Sequence, residues 1–344
     1  MVYSLLRPFL HALPAEAAHA LGLTSLAWAS RLQLVRRTPT LAPLQLWGRQ
    51  LPNPLGLAAG LDKNGDYIDA LASLGFGFIE VGTVTPRPQG GNPKPRLFRL
   101  TEHQAVINRM GFNNHGISHM VRQLQRTRYQ GLLGINIGKN KDTPNDQAAS
   151  DYCYCLEQVY PWAGYITINL SSPNTAGLRD LQAPAALAAL LGRIIESRDR
   201  ARDQHGRHVP LVVKVAPDLN TDDIPATAAV IAEAGIEGVI ATNTTIQRPQ
   251  VQHHRHGSEA GGLSGAPLKA LADATLKAFD QALPAEIVRI GCGGITCGQD
   301  AVDKTRLGAQ LVQCYSGLIY RGPALINEIC DALSTSRHNA TAHQ

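Results

Sequence analysis

The sequence predicts an α/β fold, a (β/α)₈ TIM barrel with a small N-terminal helical extension. Three observations predict it. Eight short apolar runs recur, at residues 55–59, 78–81, 132–137, 165–170, 211–215, 238–241, 287–290 and 310–314. Helix-like stretches, such as 183–200 and 223–234, lie between most of them. The runs are continuous rather than alternating, as strands of a parallel sheet covered on both faces read. Eight such units over about 290 residues fit a closed barrel. A doubly wound open sheet is the alternative, weakened because no G-x-G-x-x-G follows the first run.

Residues 1–38 read as two short helices. Leu5, Leu6, Phe9 and Leu10 give the first an apolar face. Pro14 opens the second, where Ala17, Leu21, Thr24, Trp28 and Leu32 recur at helical spacing. Arg7, Arg31, Arg36, Arg37 and Arg49 stand against one acid, Glu16, up to residue 49. Such a segment suits an anionic membrane surface, or else a helical cap packed on the barrel. Residues 39–53, with Pro39, Pro43 and Pro52, form the expected linker. The barrel spans 54–333, and a polar, frayed tail is expected over 334–344.

Composition narrows the function. A 344-residue chain, 44% hydrophobic with 32 glycines, can bury a large core with many tight turns. A net charge of +5 without a Lys/Arg block does not favour nucleic acid. Six scattered cysteines without CxxC spacing read as reduced intracellular thiols, and no metal site is expected. No apolar run approaches ~20 residues, so no transmembrane helix is predicted. Pro8, His11, Pro14 and Glu16 break any signal-peptide core.

In a barrel the C-terminal strand ends converge on one face. Here they carry Ala59-Gly60-Leu61-Asp62-Lys63, Val81-Gly82-Thr83, Asn136, Asn169, Lys214, Thr242-Asn243-Thr244, Gly293-Gly294 and Tyr315-Ser316. The fourth continues as Asn169-Leu170-Ser171-Ser172-Pro173-Asn174-Thr175, where Ser172 is the candidate for proton transfer or nucleophilic attack. The later strand ends offer amides and lysines but no carboxylate dyad and no zinc ligands. They suit an anionic, flat, hydrogen-bonding ligand. Glycine-rich turns, including Gly262-Leu263-Ser264-Gly265, suit a phosphate held by backbone N–H groups. A lysine ending an apolar strand, as Lys214 does, needs a negative charge beside it. Asp218 or another acid would provide one, as would a reduced flavin.

These segments, with Gly82-Thr83-Val84-Thr85-Pro86, Asn108-Arg109-Met110-Gly111-Phe112-Asn113 and Asn136-Ile137-Gly138-Lys139-Asn140, resemble the class 2 dihydroorotate dehydrogenases. That family is quinone-dependent and membrane-associated. The resemblance covers about residues 1–330. It implies an FMN-containing barrel that oxidises (S)-dihydroorotate to orotate in pyrimidine synthesis and passes electrons to a membrane quinone. It implies that Ser172 is the catalytic base; the soluble class has cysteine at this place. It implies that Lys63, Asn108, Arg109, Met110, Gly111, Phe112, Asn169, Asn174, Asn243 and Thr244 bind substrate. Ala59, Gly60, Leu61, Asp62, Lys63, Thr83, Asn136, Asn169, Lys214 and Thr242 would contact one non-covalent FMN. Gly265, Gly294, Tyr315 and Ser316 would cradle its phosphate. His19 and Arg99 match the polar pair near the quinone head.

The protein is then expected to be a monomer, peripheral on the cytoplasmic side of an inner membrane and held there by its N-terminal helices. Cys292 stands before Gly293-Gly294 where an aliphatic residue is usual in that family, with no effect expected on FMN. His253-His254-Arg255-His256 reads as a solvated loop rather than a metal site. Lys139 and Lys141 face phosphate or solvent and are left outside the site.

Overall fold

The computed structural model describes residues 2–35 and 43–341. Arg36, Arg37, Pro39 and residues 342–344 of the expected tail lie outside the described residues. The eight apolar runs are eight parallel strands of a closed barrel, each paired with the next in sequence and the last with the first. They are Leu55–Leu57, Phe78–Val84, Leu132–Ile137, Tyr165–Asn169, Leu211–Val215, Gly238–Ala241, Val288–Cys292 and Leu311–Cys314. Every residue in them is buried, which is why they read as continuous apolar runs.

Helices cover the barrel as the spacing predicts. The stretch expected at 183–200 is helix Pro184–His205, opened by Pro184 and stopped by Gly206 in the left-handed region at φ 61°. The N-terminal segment forms α1 (Val2–Ala12) and α2 (Ala15–Arg31). Among the described residues no helix is long and apolar enough to cross a membrane.

Three features differ from the expectation. An antiparallel hairpin, Leu44–Leu46 with Arg49–Leu51, occupies part of the expected linker. Trp47 and Gly48 both have positive φ, the geometry of a tight hairpin turn. Trp47 packs against Tyr165 at 5.5 Å between rings, so the hairpin plugs the N-terminal end of the barrel. A second antiparallel sheet joins Leu97–Leu100, Ala105–Asn108 and Gly262–Gly265. The Gly262–Gly265 stretch is therefore a strand, not a free turn. The C-terminal helix Ala324–Thr341 runs through most of the expected frayed tail. Its residues Leu325, Ile326, Ile329 and Leu333 are buried, which anchors it on the barrel.

One carboxylate lies inside the barrel. Glu80 is fully buried and accepts hydrogen bonds from Asn136 Nδ2, Tyr165 Oη and Gln313 Nε2, each at 2.8 Å. A buried charge survives only when its lone pairs are met in this way. Glu80→Gln places a donor against donors. It should lower stability by about 2–3 kcal/mol in urea unfolding, the worth of hydrogen bonds to a charged acceptor. A loss below about 0.5 kcal/mol would show that the network is not a structural constraint.

Candidate active site

The strand ends surround one deep cavity at the C-terminal mouth of the barrel. Its floor is an amide network standing on Glu80. Asn136 Oδ1 accepts from Thr83 Oγ1 and, at 3.0 Å, from Asn169 Nδ2. Asn169 Nδ2 also donates to Thr83 Oγ1 at 2.9 Å. Asn243 Nδ2 donates to Ser171 Oγ at 3.0 Å and to Asn169 Oδ1 at 3.3 Å. Each amide is thus oriented by the one below it.

Ser172 lies in the cavity wall, buried, with Oγ accepting the backbone N–H of Asn174 at 3.3 Å. Among the described residues no histidine or carboxylate bonds to that oxygen. Asn174 Nδ2 donates to Asn108 Oδ1 at 3.2 Å. Met110, Gly111 and Phe112 continue the wall, with Phe112 held at φ 52°, a strained conformation for a bulky residue. Thr242 and Thr244 line the wall beside Asn243.

Two lysines bring charge. Lys214 is 6% exposed and faces the cavity. Among the described residues its ammonium has no hydrogen bond and no ion pair. Asp218, the expected structural partner, is instead paired with Arg179 at 2.8 Å and accepts from Thr245. Lys63 donates to the Gly60 carbonyl at 2.9 Å. Burial, and then the Arg96 guanidinium, push its pKa down to about 8.

Ala59, Gly60, Gly265, Gly294, Tyr315 and Ser316 line the same cavity, where Ser316 Oγ meets Ser264 Oγ at 2.8 Å. A Cβ on Gly294 would come within 2.3 Å of Lys269 Cα, and one on Gly265 within 2.1 Å of the Gln104 carbonyl. Both have positive φ, so the wall is built for glycine.

Asn136, Leu61, Asp62, Arg109 and Arg99, all expected site residues, do not line the cavity. Asn136 lies beneath it. Leu61 is core, and Asp62 shapes the loop below Lys63 by accepting the N–H groups of Asn64, Asp66 and Tyr67. Burial raises the Asp62 pKa. Arg109 pairs with Glu259 at 2.6 Å and lies over the Phe98 ring. His19, on α2, lines the cavity, and burial and then Lys63 push its pKa down to about 4, so its ring is neutral. Arg99 is turned away, donating to the carbonyls of Leu10, His11 and Leu13 and so capping α1.

The histidine loop is less solvated than expected. His254 is 11% exposed and meets Glu102 at 3.3 Å, and His256 packs on Phe98 at 5.2 Å between rings. Lys139 donates to the Thr143 carbonyl, and Lys141 to Asn92 Oδ1. All six cysteines are free, and Cys292 lines the cavity.

Two contributors went unread in the sequence. Glu16 reaches the cavity from α2 and pairs with Arg96 at 2.7 Å. Arg179 donates to the Ser171 carbonyl at 3.0 Å and the Thr244 carbonyl at 2.9 Å, with Asp218 neutralising it. It straps the loop bearing Ser172 to the one bearing Asn243. Its spacing carries no signal, because the strap closes only in three dimensions.

Comparison with known proteins shows the family. The family model for dihydroorotate dehydrogenase matches residues 42–336. The dihydroorotate dehydrogenase (quinone) of Xanthomonas campestris pv. campestris (strain B100) is 57% identical over 342 residues, covering 98% of this chain and 97% of the relative. The protein of the same name from Xylella fastidiosa (strain 9a5c) is 55% identical over 345 residues, covering 99% and 98%. Among solved structures, the Eimeria tenella DHODH in complex with ferulenol superposes with a TM-score of 0.86 at 36% identity, covering 95% of this chain and 92% of that one. Its ligand-free form gives 0.84 at 38% identity, covering 93% and 95%. The chain belongs to the dihydroorotate dehydrogenase family.

Proposed function

We propose that this protein oxidises (S)-dihydroorotate to orotate, with FMN as its non-covalent cofactor, and passes the electrons to a membrane quinone. The observation that carries this reading is Lys214. A buried ammonium facing a cavity, with neither hydrogen bond nor ion pair among the described residues, calls for an anionic partner. The residues present fit FMN. Lys214 would face its ring, Ala59, Gly60, Thr83, Asn169 and Thr242 would hold the ring edges, and Gly265, Gly294, Tyr315 and Ser316 would hold its phosphate. When bound, FMN supplies the acceptor for the hydride that leaves C6 of dihydroorotate.

The chain's own residues do the rest. Ser172 Oγ takes the C5 proton as its own hydroxyl proton passes to water. Serine is a poor base in water, and its burial next to the Asn174 N–H is the environment that must tune it. Asn108, Asn169, Asn174, Asn243 and Thr244 hold the ring amides in one orientation, which the underlying hydrogen bonds fix in advance. Lys63 meets the substrate carboxylate, and Phe112 helps exclude water. Arg179 is a positioning residue that keeps the Ser172 and Asn243 loops in register.

The acceptor side rests on α1 and α2. Leu5, Leu6, Phe9, Trp28 and Leu32 are 73%, 52%, 75%, 60% and 64% exposed. Such an apolar face next to arginines fits peripheral seating on an anionic bilayer. His19, neutral at the cavity end of α2, would meet the quinone head, while Arg99 would act by fixing the end of α1.

Assaying dihydroorotate oxidation with a quinone, fumarate and NAD in parallel tests the function. Turnover is expected with the quinone alone; comparable turnover with fumarate or NAD would overturn the acceptor assignment. A pH profile tests Lys63. It carries its charge below about 8, so kcat/KM for dihydroorotate should fall as pH rises through that value. Lys63→Met should lack this limb. A limb that persists in the variant, or a flat wild-type profile, would assign the carboxylate contact elsewhere.

A further inference from the structure

We propose that Asp66, His115 and His119 form a binding site for a divalent transition metal, with Zn²⁺ as the reference ion. The site lies apart from the cavity floor and does not depend on the reaction assigned above. The carboxylate oxygen and the two imidazole nitrogens lie within 4.8 Å of one another. His119 Nε2 is 2.7 Å from Asp66 Oδ1. The rings of His115 and His119 meet edge to face, with centroids 4.9 Å apart and planes at 78°.

The backbone around the three side chains is already fixed. Asp62 holds the loop that carries Asp66 through the N–H groups of Asn64, Asp66 and Tyr67. Asn64 Oδ1 accepts the backbone N–H of His115 at 2.9 Å, joining that loop to the segment bearing the histidines. Asn114 Oδ1 accepts the N–H of Gly116 at 2.8 Å, and His119 falls in the first turn of helix Ile117–Leu124. Little chain entropy is left to lose on binding.

A tetrahedral zinc site with bonds of about 2.0–2.1 Å sets its ligand atoms roughly 3.3 Å apart. The Asp66–His119 pair opens slightly to reach that spacing, and exposed His115 closes on it by side-chain rotation. Two imidazoles and one carboxylate leave the fourth position to water. This donor set selects Zn²⁺, Co²⁺, Ni²⁺ or Cu²⁺ over Mg²⁺ and Ca²⁺. A bound ion would bridge the loop after Lys63 to the segment after Phe112, and Lys63 and Phe112 themselves line the cavity.

Calorimetric titration of the tag-free holoprotein with ZnCl₂ tests the proposal. The expected result is one Zn²⁺ per chain, unaffected by excess MgCl₂. His115→Ala, His119→Ala and Asp66→Asn should each weaken it by more than about tenfold, while His254→Ala leaves it unchanged. His119→Gln, which keeps a polar partner for Asp66, guards against loss of folding and should weaken zinc equally. The absence of saturable one-to-one binding would overturn the proposal, as would binding unchanged by these substitutions.

Discussion

The constraint on which the site depends is the polar interior of a closed barrel. Glu80 sits where no water reaches, and its oxygens must be met by protein donors. Asn136, Tyr165 and Gln313 meet them. Once Asn136 gives its N–H to Glu80, its carbonyl points up and accepts from Thr83 and Asn169. That leaves the Asn169 carbonyl to accept from Asn243. The orientations of Asn136, Asn169 and Asn243 follow from the carboxylate below them. In a low-dielectric interior such chains are stiff, because every alternative strands a polar group.

Above this floor the charges are arranged so that a ligand completes them. Lys214 has no hydrogen-bonding or ion-pairing partner among the described residues, and Lys63 bonds only to the backbone carbonyl of Gly60. The carboxylates nearby are committed elsewhere, Asp218 to Arg179 and Asp62 to backbone N–H groups. The same ion pair that removes Asp218 from Lys214 lets Arg179 hold two loop carbonyls at once. One contact thus leaves the cavity cationic and keeps its rim in register.

The barrel was legible because burial on both faces writes strands as unbroken apolar runs, and all eight were readable. The hairpin around Trp47 and the sheet of Leu97–Leu100, Ala105–Asn108 and Gly262–Gly265 were not, since each of these short strands is only partly buried and lacks the unbroken apolar run that marks a barrel strand. The Gly262–Gly265 stretch misled for a physical reason: glycine there serves close backbone approach within a strand. Asn169, Asn243 and Lys214 were legible as polar groups at the ends of apolar strands, whereas Asn108 was reached only through the family resemblance. Arg99 illustrates the limit, because capping of α1 depends on where carbonyls of a distant helix end. Asp66 could not be linked to His115 and His119 from spacing, since its loop and their segment meet only in three dimensions, through the Asn64–His115 hydrogen bond and the Asp66–His119 pair.

The central claim is that Ser172 takes the C5 proton. Rapid mixing of the FMN-loaded protein with dihydroorotate, followed by flavin absorbance, reads that step directly in Ser172→Ala. Flavin reduction should slow by about 10²–10⁴-fold, the worth of a positioned base, while reoxidation by quinone and the affinity for orotate stay close to wild type. Flavin reduction at a near-wild-type rate in Ser172→Ala would contradict the claim.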